Sequence, residues 1–247
     1  MNLHVLVLPG DGIGTEVMRE AVRVLRHVAE KWNHPLRIAE GLLGGIAIHR
    51  TGSPFPEETA RLAADAEATL LGAVGLPEFD NCPPEKRPEK GLLGIRQALG
   101  VFANLRPVRA FAALLDSSPL KNALVEGTDM IIVRELTGGI YYGTPRGITG
   151  SGPETRAVNT MTYTRAEIER VSHVAFHLAR GRRSKVTSVD KSNVLENSQL
   201  WRRVVCEIAT EYPDVALDHL LVDNCAMQLI LNPRRFEIGR ASCRERV

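Results

Sequence analysis

The sequence predicts an α/β protein of two domains, built from strands and helices that alternate along the chain. Short apolar runs typical of buried strands recur, and most are followed by a segment with the 3.6-residue periodicity of an amphipathic helix. Alternation of this kind favours a sheet covered by helices. The composition agrees, because 44% of the 247 residues are hydrophobic and 24% are charged, as in ordinary globular proteins.

The first half of the chain opens with a strand, a glycine turn and a helix. Residues 3–8 are the apolar run, residues 9–14 the turn, and Thr15 is the expected N-cap of a helix with a broad apolar face. A second strand, a helix and a third strand are expected at residues 35–40, 57–66 and 68–71. The proline-rich residues 76–91 predict a long ordered loop before a helix at residues 92–99.

The second half begins near residue 102 with a new module. A strand is expected at residues 129–133, and the glycine-rich residues 140–164 resemble a hairpin arm that reaches a partner subunit. The later elements are a helix, a strand, a helix, a strand and a helix, at residues 165–181, 185–189, 198–211, 215–222 and from 223.

We therefore expect three segments. Residues 1–101 form the N-terminal part of a first, cofactor-side domain, and residues 102–237 form a second domain with the dimer interface and the arm. Residues 238–247 show no clear period and are interpreted as a non-native tail.

Charge and hydropathy exclude several classes of protein. The formal net charge is only +2, with 31 basic and 29 acidic residues interleaved, so no nucleic-acid partner is predicted. No apolar run approaches the roughly 20 residues of a membrane span, and no secretion signal is visible. We expect a cytoplasmic protein without a membrane partner, whose four cysteines are free thiols.

The stretch at residues 133–143 carries the strongest chemical signal. Arg134 lies at the end of an apolar strand, glycines then permit a bend, and Tyr141 follows seven residues after Arg134. Arg96 and Arg106 are further guanidinium groups, and three of these converging on one cleft would bind a dicarboxylate, because guanidinium pairs bidentately with carboxylate. Lone arginines are more often surface residues, so convergence is one of two interpretations.

Lys191 and Asp223 also stand beside predicted strands. Lys191 follows a strand end, where ligands of open α/β sheets often bind, and would suit a general base. It is equally compatible with a solvated loop. Asp223 is either a helix N-cap or a hard oxygen ligand for Mg²⁺ or Mn²⁺.

The glycine turn is not a dinucleotide fingerprint. Gly10, Gly12 and Gly14 do not have the G-x-G-x-x-G spacing, and the simpler interpretation is a tight strand-to-helix turn that needs positive φ. A Rossmann mechanism is therefore not favoured.

Together these segments resemble the isocitrate/isopropylmalate dehydrogenase family of metal-dependent β-decarboxylating dehydrogenases, over residues 1 to about 237. The matching stretches are residues 8–14, 70–75, 102–107, 133–143, 189–195 and 212–217. The resemblance implies the two-domain, non-Rossmann fold of isopropylmalate dehydrogenase, with a mixed parallel and antiparallel sheet.

The resemblance also implies a reaction. The enzyme would oxidise and decarboxylate 3-isopropylmalate to 4-methyl-2-oxopentanoate, a precursor of leucine, with NAD⁺ and with Mg²⁺ or Mn²⁺. Tyr141 would be the general acid and Lys191 the base, and Arg96, Arg106 and Arg134 would hold the carboxylates. Asp223 would bind the metal, and a homodimer would share its active sites through Lys191 and Asp223.

Further positions are carried over from the same resemblance. The isopropyl group would meet Glu89, Leu92, Leu93 and Val194, and the apolar members favour isopropylmalate over the third carboxylate of isocitrate. The NAD⁺ site would include Ile13, Gly75, Leu76, Pro77, Glu78, Glu89 and Asn193.

The family pattern breaks near residue 238. The expected strand, two further metal-binding aspartates and the adenine-binding loop do not follow, so we expect an incomplete fold that is inactive alone. The choice between NAD⁺ and NADP⁺ stays open. Alternative functions are a tartrate, D-malate or isocitrate dehydrogenase, or a non-catalytic regulatory or assembly subunit.

Overall fold

The computed structural model describes residues 3–83, 86–236 and 238–241. It contains two compact units, unit 1 (Met1–Gly100) and unit 2 (Val101–Val247).

Unit 1 is a parallel sheet with helices on both faces. In its described residues, β1 (Leu3–Gly10) lies between β2 (Leu36–Glu40) and β3 (Ala68–Ala73). The helices are α1 (Ile13–Lys31), α2 (Gly45–Thr51), α3 (Glu57–Asp65) and α4 (Pro88–Ala98). Alternate residues of β1 point to opposite faces. Leu6 and Leu8 pack against Leu43 in one cluster, whereas Val5 and Val7 pack with Met18 of α1 in another.

Three details of unit 1 differ from the expectations. Helix α1 begins at Ile13 after Gly12, so Thr15 is not the N-cap, and its hydroxyl donates to the Gly12 carbonyl at 3.0 Å. Helix α2 was not predicted. Helix α4 begins at Pro88, a residue preorganised for the first helical position, so the loop is shorter than expected.

Unit 2 is built on a mixed sheet, which confirms the expected combination of parallel and antiparallel strands. The strands are β4 (Ala103–Arg109), β5 (Asp129–Glu135), β8 (Lys185–Asp190), β9 (Ala216–Leu221) and β10 (Ile238–Ala241). Their order is β4-β5-β10-β8-β9, with β4 antiparallel to β5 and the other pairs parallel. Strands β6 (Arg146–Thr149) and β7 (Arg156–Asn159) form a separate hairpin within the predicted arm.

Helices cover both faces of this sheet. They are α5 (Asn122–Val125), α6 (Arg165–Arg180), α7 (Glu196–Ala209) and α8 (Val222–Leu231). The larger core joins Val133 and Val186 of the sheet to Phe176 of α6 and Trp201 of α7. A smaller core joins other residues of the sheet to Cys225 of α8. Thr164 begins α6 with a capping box completed by Glu167.

Residues 238–241 are not the start of a separate tail. The strand β10 pairs with β5 on one side and β8 on the other. A strand between two others is held on both sides by backbone hydrogen bonds, which most residue types can make. These four residues can therefore form a strand although their sequence shows no alternation of apolar and polar residues. The predicted tail residues 242–247 lie outside the described residues.

No helix in the described ranges has the length and apolar character that crossing a bilayer requires. Cys82, Cys206 and Cys225 are free thiols, as expected, and Cys243 lies outside the described residues.

Candidate functional site

Arg134 and Tyr141 meet in unit 2 where β5 ends. The Arg134 Nη2 atom donates to the Tyr141 hydroxyl at 3.3 Å, and the guanidinium carbon lies 5.6 Å from the centroid of the tyrosine ring. Because the phenol oxygen accepts this hydrogen bond, its own proton remains available for transfer.

Arg106 shares a sheet face with Arg134. Asn104 is paired directly with Arg134 across the two strands, and Arg106 lies two residues further along β4 on the same face. The Arg106 Nε atom donates to the Asn104 Oδ1 atom at 2.7 Å, and the side chain of Arg106 is exposed. Unit 2 therefore brings Arg134 into contact with the predicted acid and places Arg106 on the same sheet face as Arg134.

A fully buried carboxylate fixes the bend between Arg134 and Tyr141. Glu135 accepts hydrogen bonds from the backbone nitrogens of Thr137 at 2.9 Å and Gly138 at 2.7 Å, and from the Thr137 hydroxyl at 2.7 Å. Its side chain is 0% exposed and is paired with Arg170 at 3.1 Å. These contacts satisfy the buried charge and hold the chain that leads from the arginine to the tyrosine.

Lys191 and Asp223 are joined in unit 2 by an ion pair. The Lys191 Nζ atom lies 2.7 Å from the Asp223 Oδ1 atom. Residue 190 of β8 is aligned with residue 221 of β9, so the two residues follow neighbouring parallel strands. The hydrogen bond from Lys191 holds the pKa of the Asp223 carboxyl below its ordinary value of 3.8, and the backbone of Asp223 lowers it further. Asp223 is therefore ionised at neutral pH, as a predicted metal ligand must be.

Asp190 positions the segment that carries Lys191. This carboxylate is 1% exposed and pairs with the Arg202 Nε atom at 2.9 Å. It also accepts from the Arg202 Nη2 atom at 3.0 Å and from the Ser192 backbone nitrogen at 2.9 Å. Asn193 and Val194 follow in the same turn as exposed residues. The predicted base and these two predicted contacts thus share one anchored loop.

Unit 1 contains a third buried acid, Asp11, which contacts the predicted cofactor residue Gly75. It is 3% exposed and accepts from the backbone nitrogens of Gly45, Ile46 and Gly75, each at 2.8 Å. We call these four residues the Asp11 amide cluster. The cluster ties the turn after β1 to the start of α2 and to the loop after β3.

That loop contains Gly75, Leu76, Pro77 and Glu78. A Cβ built on Gly75 would lie 3.4 Å from the Glu89 Oε1 atom, so Glu89 reaches this loop from α4. The Glu78 Oε1 atom accepts from the His49 Nε2 atom at 2.9 Å when that nitrogen carries the hydrogen. Ile13, the first residue of α1, is 61% exposed. Six of the seven predicted cofactor residues therefore lie at the carboxyl end of one sheet or on α4.

The remaining predicted substrate residues lie on α4 of unit 1. Leu92, Leu93 and Arg96 are half-buried on this helix, and Glu89 is exposed in its first turn. The other substrate and catalytic residues belong to unit 2. The convergence of Arg96 with Arg106 and Arg134 on one ligand stays a prediction.

Asp223 would supply one carboxylate oxygen to the divalent cation that the resemblance implies. Its charge and exposure suit Mg²⁺ or Mn²⁺, which prefer carboxylate oxygens. The described residues contain no group of three or more histidine, cysteine or acidic side chains that would hold a metal. Asp223 therefore fits the predicted ligand and needs further oxygen donors.

Sequence reasoning did not single out Asp11, Glu135 or Asp190. Each is an acid at the end of a strand and directly beside a predicted site residue or turn. An acid in that position, close to an apolar strand, is the signal that would have identified them.

Comparison with known proteins agrees with these observations. The model of the family described as isocitrate/isopropylmalate dehydrogenase matches residues 4–241, which extends past residue 238. The chain is 55% identical over 238 residues to a 3-isopropylmalate dehydrogenase of Shouchella clausii, covering 96% of this chain and 65% of that protein. It is 54% identical to a protein of the same name from Aquifex aeolicus, covering 95% and 64%.

Solved structures agree as well. An isocitrate dehydrogenase from Methylococcus capsulatus matches with a TM-score of 0.82 and 29% identity, covering 97% of this chain and 66% of that one. A β-decarboxylating dehydrogenase from Thermococcus kodakarensis, in its apo form, matches with a TM-score of 0.71 and 32% identity, covering 97% and 64%. The chain spans just under two thirds of the length of these relatives, and it belongs to the isocitrate/isopropylmalate dehydrogenase family.

Proposed function

We propose that this chain carries the substrate-binding and catalytic residues of a 3-isopropylmalate dehydrogenase. The observation that carries the proposal is the contact of Arg134 with Tyr141, on the sheet face that also holds Arg106. An anion-binding cation beside a phenolic proton donor suits a diacid that must be held and then reprotonated. Identities of 54–55% to proteins named 3-isopropylmalate dehydrogenase support the choice of reaction.

The chain's own residues divide the chemistry between binding and proton transfer. Arg96, Arg106 and Arg134 would hold the carboxylates of the substrate. Lys191 would release its ammonium proton to solvent once its ion pair with Asp223 is loosened, and the neutral amine would then accept the proton of the substrate hydroxyl. Tyr141 would return a proton to carbon after CO₂ leaves. Asp223 would be one of the groups that hold a divalent metal, which when bound would polarise the C2 oxygen of the substrate.

The cofactor we propose is NAD⁺, contacted by Ile13, by the loop from Gly75 to Glu78, and by Glu89 and Asn193. The Asp11 amide cluster would keep that loop in one conformation for the cofactor. We propose a cytoplasmic location for the enzyme. The alternative of a non-catalytic subunit is not favoured, since a binding subunit needs neither an acid nor a base.

The substrate assignment rests on α4. Leu92 and Leu93 are half-buried apolar residues on the helix that also carries Arg96. Placing a third carboxylate against them would cost several kcal/mol of desolvation, whereas an isopropyl group would gain about 1–3 kcal/mol there. The expected order of kcat/KM is therefore isopropylmalate far above isocitrate or tartrate.

We propose that the active protein is a homodimer with shared sites. Helix α8 carries Asp223 and exposes Met227 (56%), Ile230 (50%) and Leu231 (61%). The β6–β7 hairpin exposes Ile148 by 75%. Met227, Ile230 and Leu231 have the spacing of one helix face, and a contiguous apolar patch of this kind often marks an interface. Sedimentation velocity of the active protein would detect the dimer, and a monomeric active species would contradict it.

The test uses a chain of the relatives' length. Residues 1–236 are joined to the C-terminal third of the Shouchella clausii relative. NADH formation is then followed with Mg²⁺ and, in turn, isopropylmalate, isocitrate and tartrate. The 247-residue chain alone is expected to show little turnover, because Asp223 supplies only one metal ligand in the described residues. Lack of reaction of the longer chain with every acid would remove the enzyme hypothesis.

Tyr141→Phe then tests the acid. Loss of a general acid lowers kcat by about 10²–10⁴-fold, with little change in KM. Tyr142→Phe is the matched control and should retain activity. Equal activity of the two variants would show that Tyr141 is not the proton donor.

A further inference from the structure

Asn104 lies between the two arginines that unit 2 contributes to the proposed site. It is half-buried in β4, directly opposite Arg134 of β5, and Arg106 follows two residues later on the same sheet face. Residues directly opposite each other in an antiparallel pair have Cβ atoms about 4.5–5.5 Å apart, and diagonal neighbours such as Arg106 and Arg134 lie about 7–8 Å apart. Asn104 is therefore a neutral side chain beside two cations.

The amide of Asn104 holds one edge of the Arg106 guanidinium. The Arg106 Nε atom donates to the Asn104 Oδ1 atom at 2.7 Å, at the short end of the range for N–H···O hydrogen bonds. Because arginine has donors only, the amide oxygen and not the amide nitrogen must face it. The Nη1 and Nη2 atoms at the far edge of the guanidinium then remain as parallel donors for a carboxylate.

Two other arginines of unit 2 hold the same edge against a carboxylate. The Arg180 Nε atom lies 2.7 Å from an Asp214 oxygen, and the Arg202 Nε atom lies 2.9 Å from an Asp190 oxygen. In both pairs the Nη2 atom donates to the second oxygen, so the contact is bidentate. The positive charge of these arginines is thus compensated within the protein.

Arg106 differs because the group that holds it carries no charge. Within the ranges that the structure describes, Asn104 is its hydrogen-bond partner, it forms no ion pair, and its side chain is exposed. Strand β4 itself contains no acidic residue. The charge of Arg106 is therefore available to an incoming anion, and a bound dicarboxylate would relieve the repulsion between Arg106 and Arg134.

Asparagine combines two properties at this position that similar side chains do not. Aspartate has the same shape and would accept the same hydrogen bond, but it would neutralise Arg106 and compete with the substrate for it. Leucine has a similar size and leaves the charge unchanged. It accepts no hydrogen bond, however, so the long arginine side chain would regain its rotamer freedom.

We propose that Asn104 is a positioning residue for Arg106. The Asn104 amide oxygen fixes the Nε edge of the guanidinium, and the neutrality of the amide preserves the positive charge for a carboxylate of the substrate. This role rests on the proposed function and deepens it, because it explains how one binding arginine is oriented before the substrate arrives. Such preorganisation saves the entropy that a mobile side chain loses on binding.

Two substitutions separate orientation from charge, in the chain lengthened with the C-terminal third of the relative. Asn104→Leu should raise KM for isopropylmalate about fivefold, because Arg106 keeps its charge and loses its orientation. Asn104→Asp should raise KM about 50-fold, because the new carboxylate occupies the guanidinium. In both variants kcat should stay within about twofold of the parent, since no group that transfers a proton is removed.

Asn122→Asp is the matched control. It makes the same chemical change at an exposed residue of α5, whose amide nitrogen donates to Asp116 at 2.8 Å, and it should leave KM unchanged. A parental KM in Asn104→Leu would show that orientation by the amide is not required. A KM at or below the parental value in Asn104→Asp would show that neutrality is not required. Either result overturns the proposed role.

The contact itself can be observed without turnover, by NMR of the 247-residue chain labelled with isotope-enriched arginine. The Arg106 Nε–H resonance, assigned by its loss in Arg106→Lys, should exchange with water several-fold more slowly than that of exposed Arg203. This protection should persist in Asn104→Asp and disappear in Asn104→Leu. Unprotected Arg106 in the parent would overturn the contact.

The two measurements distinguish failure of this role from failure of the proposed function. If the lengthened chain turned over none of the three acids, the proposed function would fail, whatever the exchange of Arg106. Slow exchange that Asn104→Leu abolishes would then still establish that Asn104 orients Arg106. Normal turnover with equal KM in the parent and both variants of Asn104 would instead leave the function standing and remove the positioning role.

Discussion

Asp11 in unit 1 and Asp190 in unit 2 are both almost completely buried, yet different partners satisfy them. Asp11 is 3% exposed, and among the described residues it accepts only from backbone nitrogens, those of Gly45, Ile46 and Gly75. Asp190 is 1% exposed and accepts from one backbone nitrogen and twice from Arg202. The donors of the first are fixed in the backbone, whereas the main donor of the second is a side chain that is 36% exposed.

This difference in donors predicts which of the two regions tolerates substitution of its buried acid. Backbone N–H groups cannot rotate away when the acceptor that they bind is altered. They then stay buried without a hydrogen-bond partner. Arg202 can swing into water and recover hydrogen bonds there. We therefore expect the cofactor loop of unit 1 to be the more rigid and the less mutable of the two regions.

The chain contains one tryptophan in each unit, Trp32 and Trp201, and this allows each region to be observed separately. Replacing one with phenylalanine leaves the other as the reporter of urea denaturation. All comparisons below use such a single-tryptophan background.

The largest effect is expected from Gly10→Ala. Gly10 has φ +72°, and an added Cβ would lie 2.0 Å from the Ala73 carbonyl oxygen of the adjacent strand. The backbone strain at positive φ and the overlap with the carbonyl oxygen must both be relieved. We therefore expect the free energy of unfolding of unit 1 to fall by about 4 kcal/mol. Gly52→Ala is the matched control, with φ +78° and nothing within 4 Å, and should cost about 1 kcal/mol. Equal losses would show that the turn after β1 is not tightly packed.

The direct test of the comparison is Asp11→Asn against Asp190→Asn. An asparagine at position 11 offers one acceptor oxygen, and its NH₂ group would face a fixed backbone donor, so we expect a loss of about 3 kcal/mol. At position 190 the asparagine carbonyl can keep the hydrogen bond from the Ser192 backbone nitrogen while the Arg202 side chain moves into solvent. We therefore expect a loss of about 1 kcal/mol in the free energy of unfolding.

Trp32 should report the first loss and Trp201 the second. Asp65→Asn, an exposed acid in unit 1, controls for the change of charge. A larger loss for Asp190→Asn would reverse the proposed ranking of the two regions.

The smallest effect is expected from Asp214→Asn, which removes an exposed ion pair of unit 2. The hydrogen bond from Arg180 holds the pKa of Asp214 below its ordinary value of 3.8. A lowered carboxyl pKa adds stability above about pH 4, and that stability is lost as the pH falls through the folded-state pKa. Thermal midpoints of parent and variant should differ slightly at pH 7 and converge near pH 2. A difference that persists in acid would mean that packing, not charge, is lost.

Much of the fold follows from periodicity in the sequence. Helix α6 and strand β5 were predicted to within two residues, because their apolar residues recur at the spacing of a helix and a strand. Helix α2 was missed because it is only seven residues long and begins after a glycine without a side-chain cap. The strand β10 was missed because its place depends on pairing with two distant strands.

The site was only partly predictable, for a similar reason. The residue types and strand ends that place Arg134, Tyr141 and Lys191 are visible locally. The ion pair of Lys191 with Asp223 joins residues 32 positions apart and depends on the register between β8 and β9. Register is a property of the folded sheet, which a single sequence does not display.

That ion pair has a genetic consequence for a dimer with shared sites. Because Lys191 and Asp223 lie 2.7 Å apart in one polypeptide, they are contributed together to whichever site they serve. In the lengthened chain that carries the C-terminal third of the relative, co-expressing a Lys191 variant with a Tyr141 variant would assemble one intact site in each mixed dimer and restore growth to an auxotroph. Co-expressing a Lys191 variant with an Asp223 variant would assemble none, so those two lesions would fall into a single complementation group.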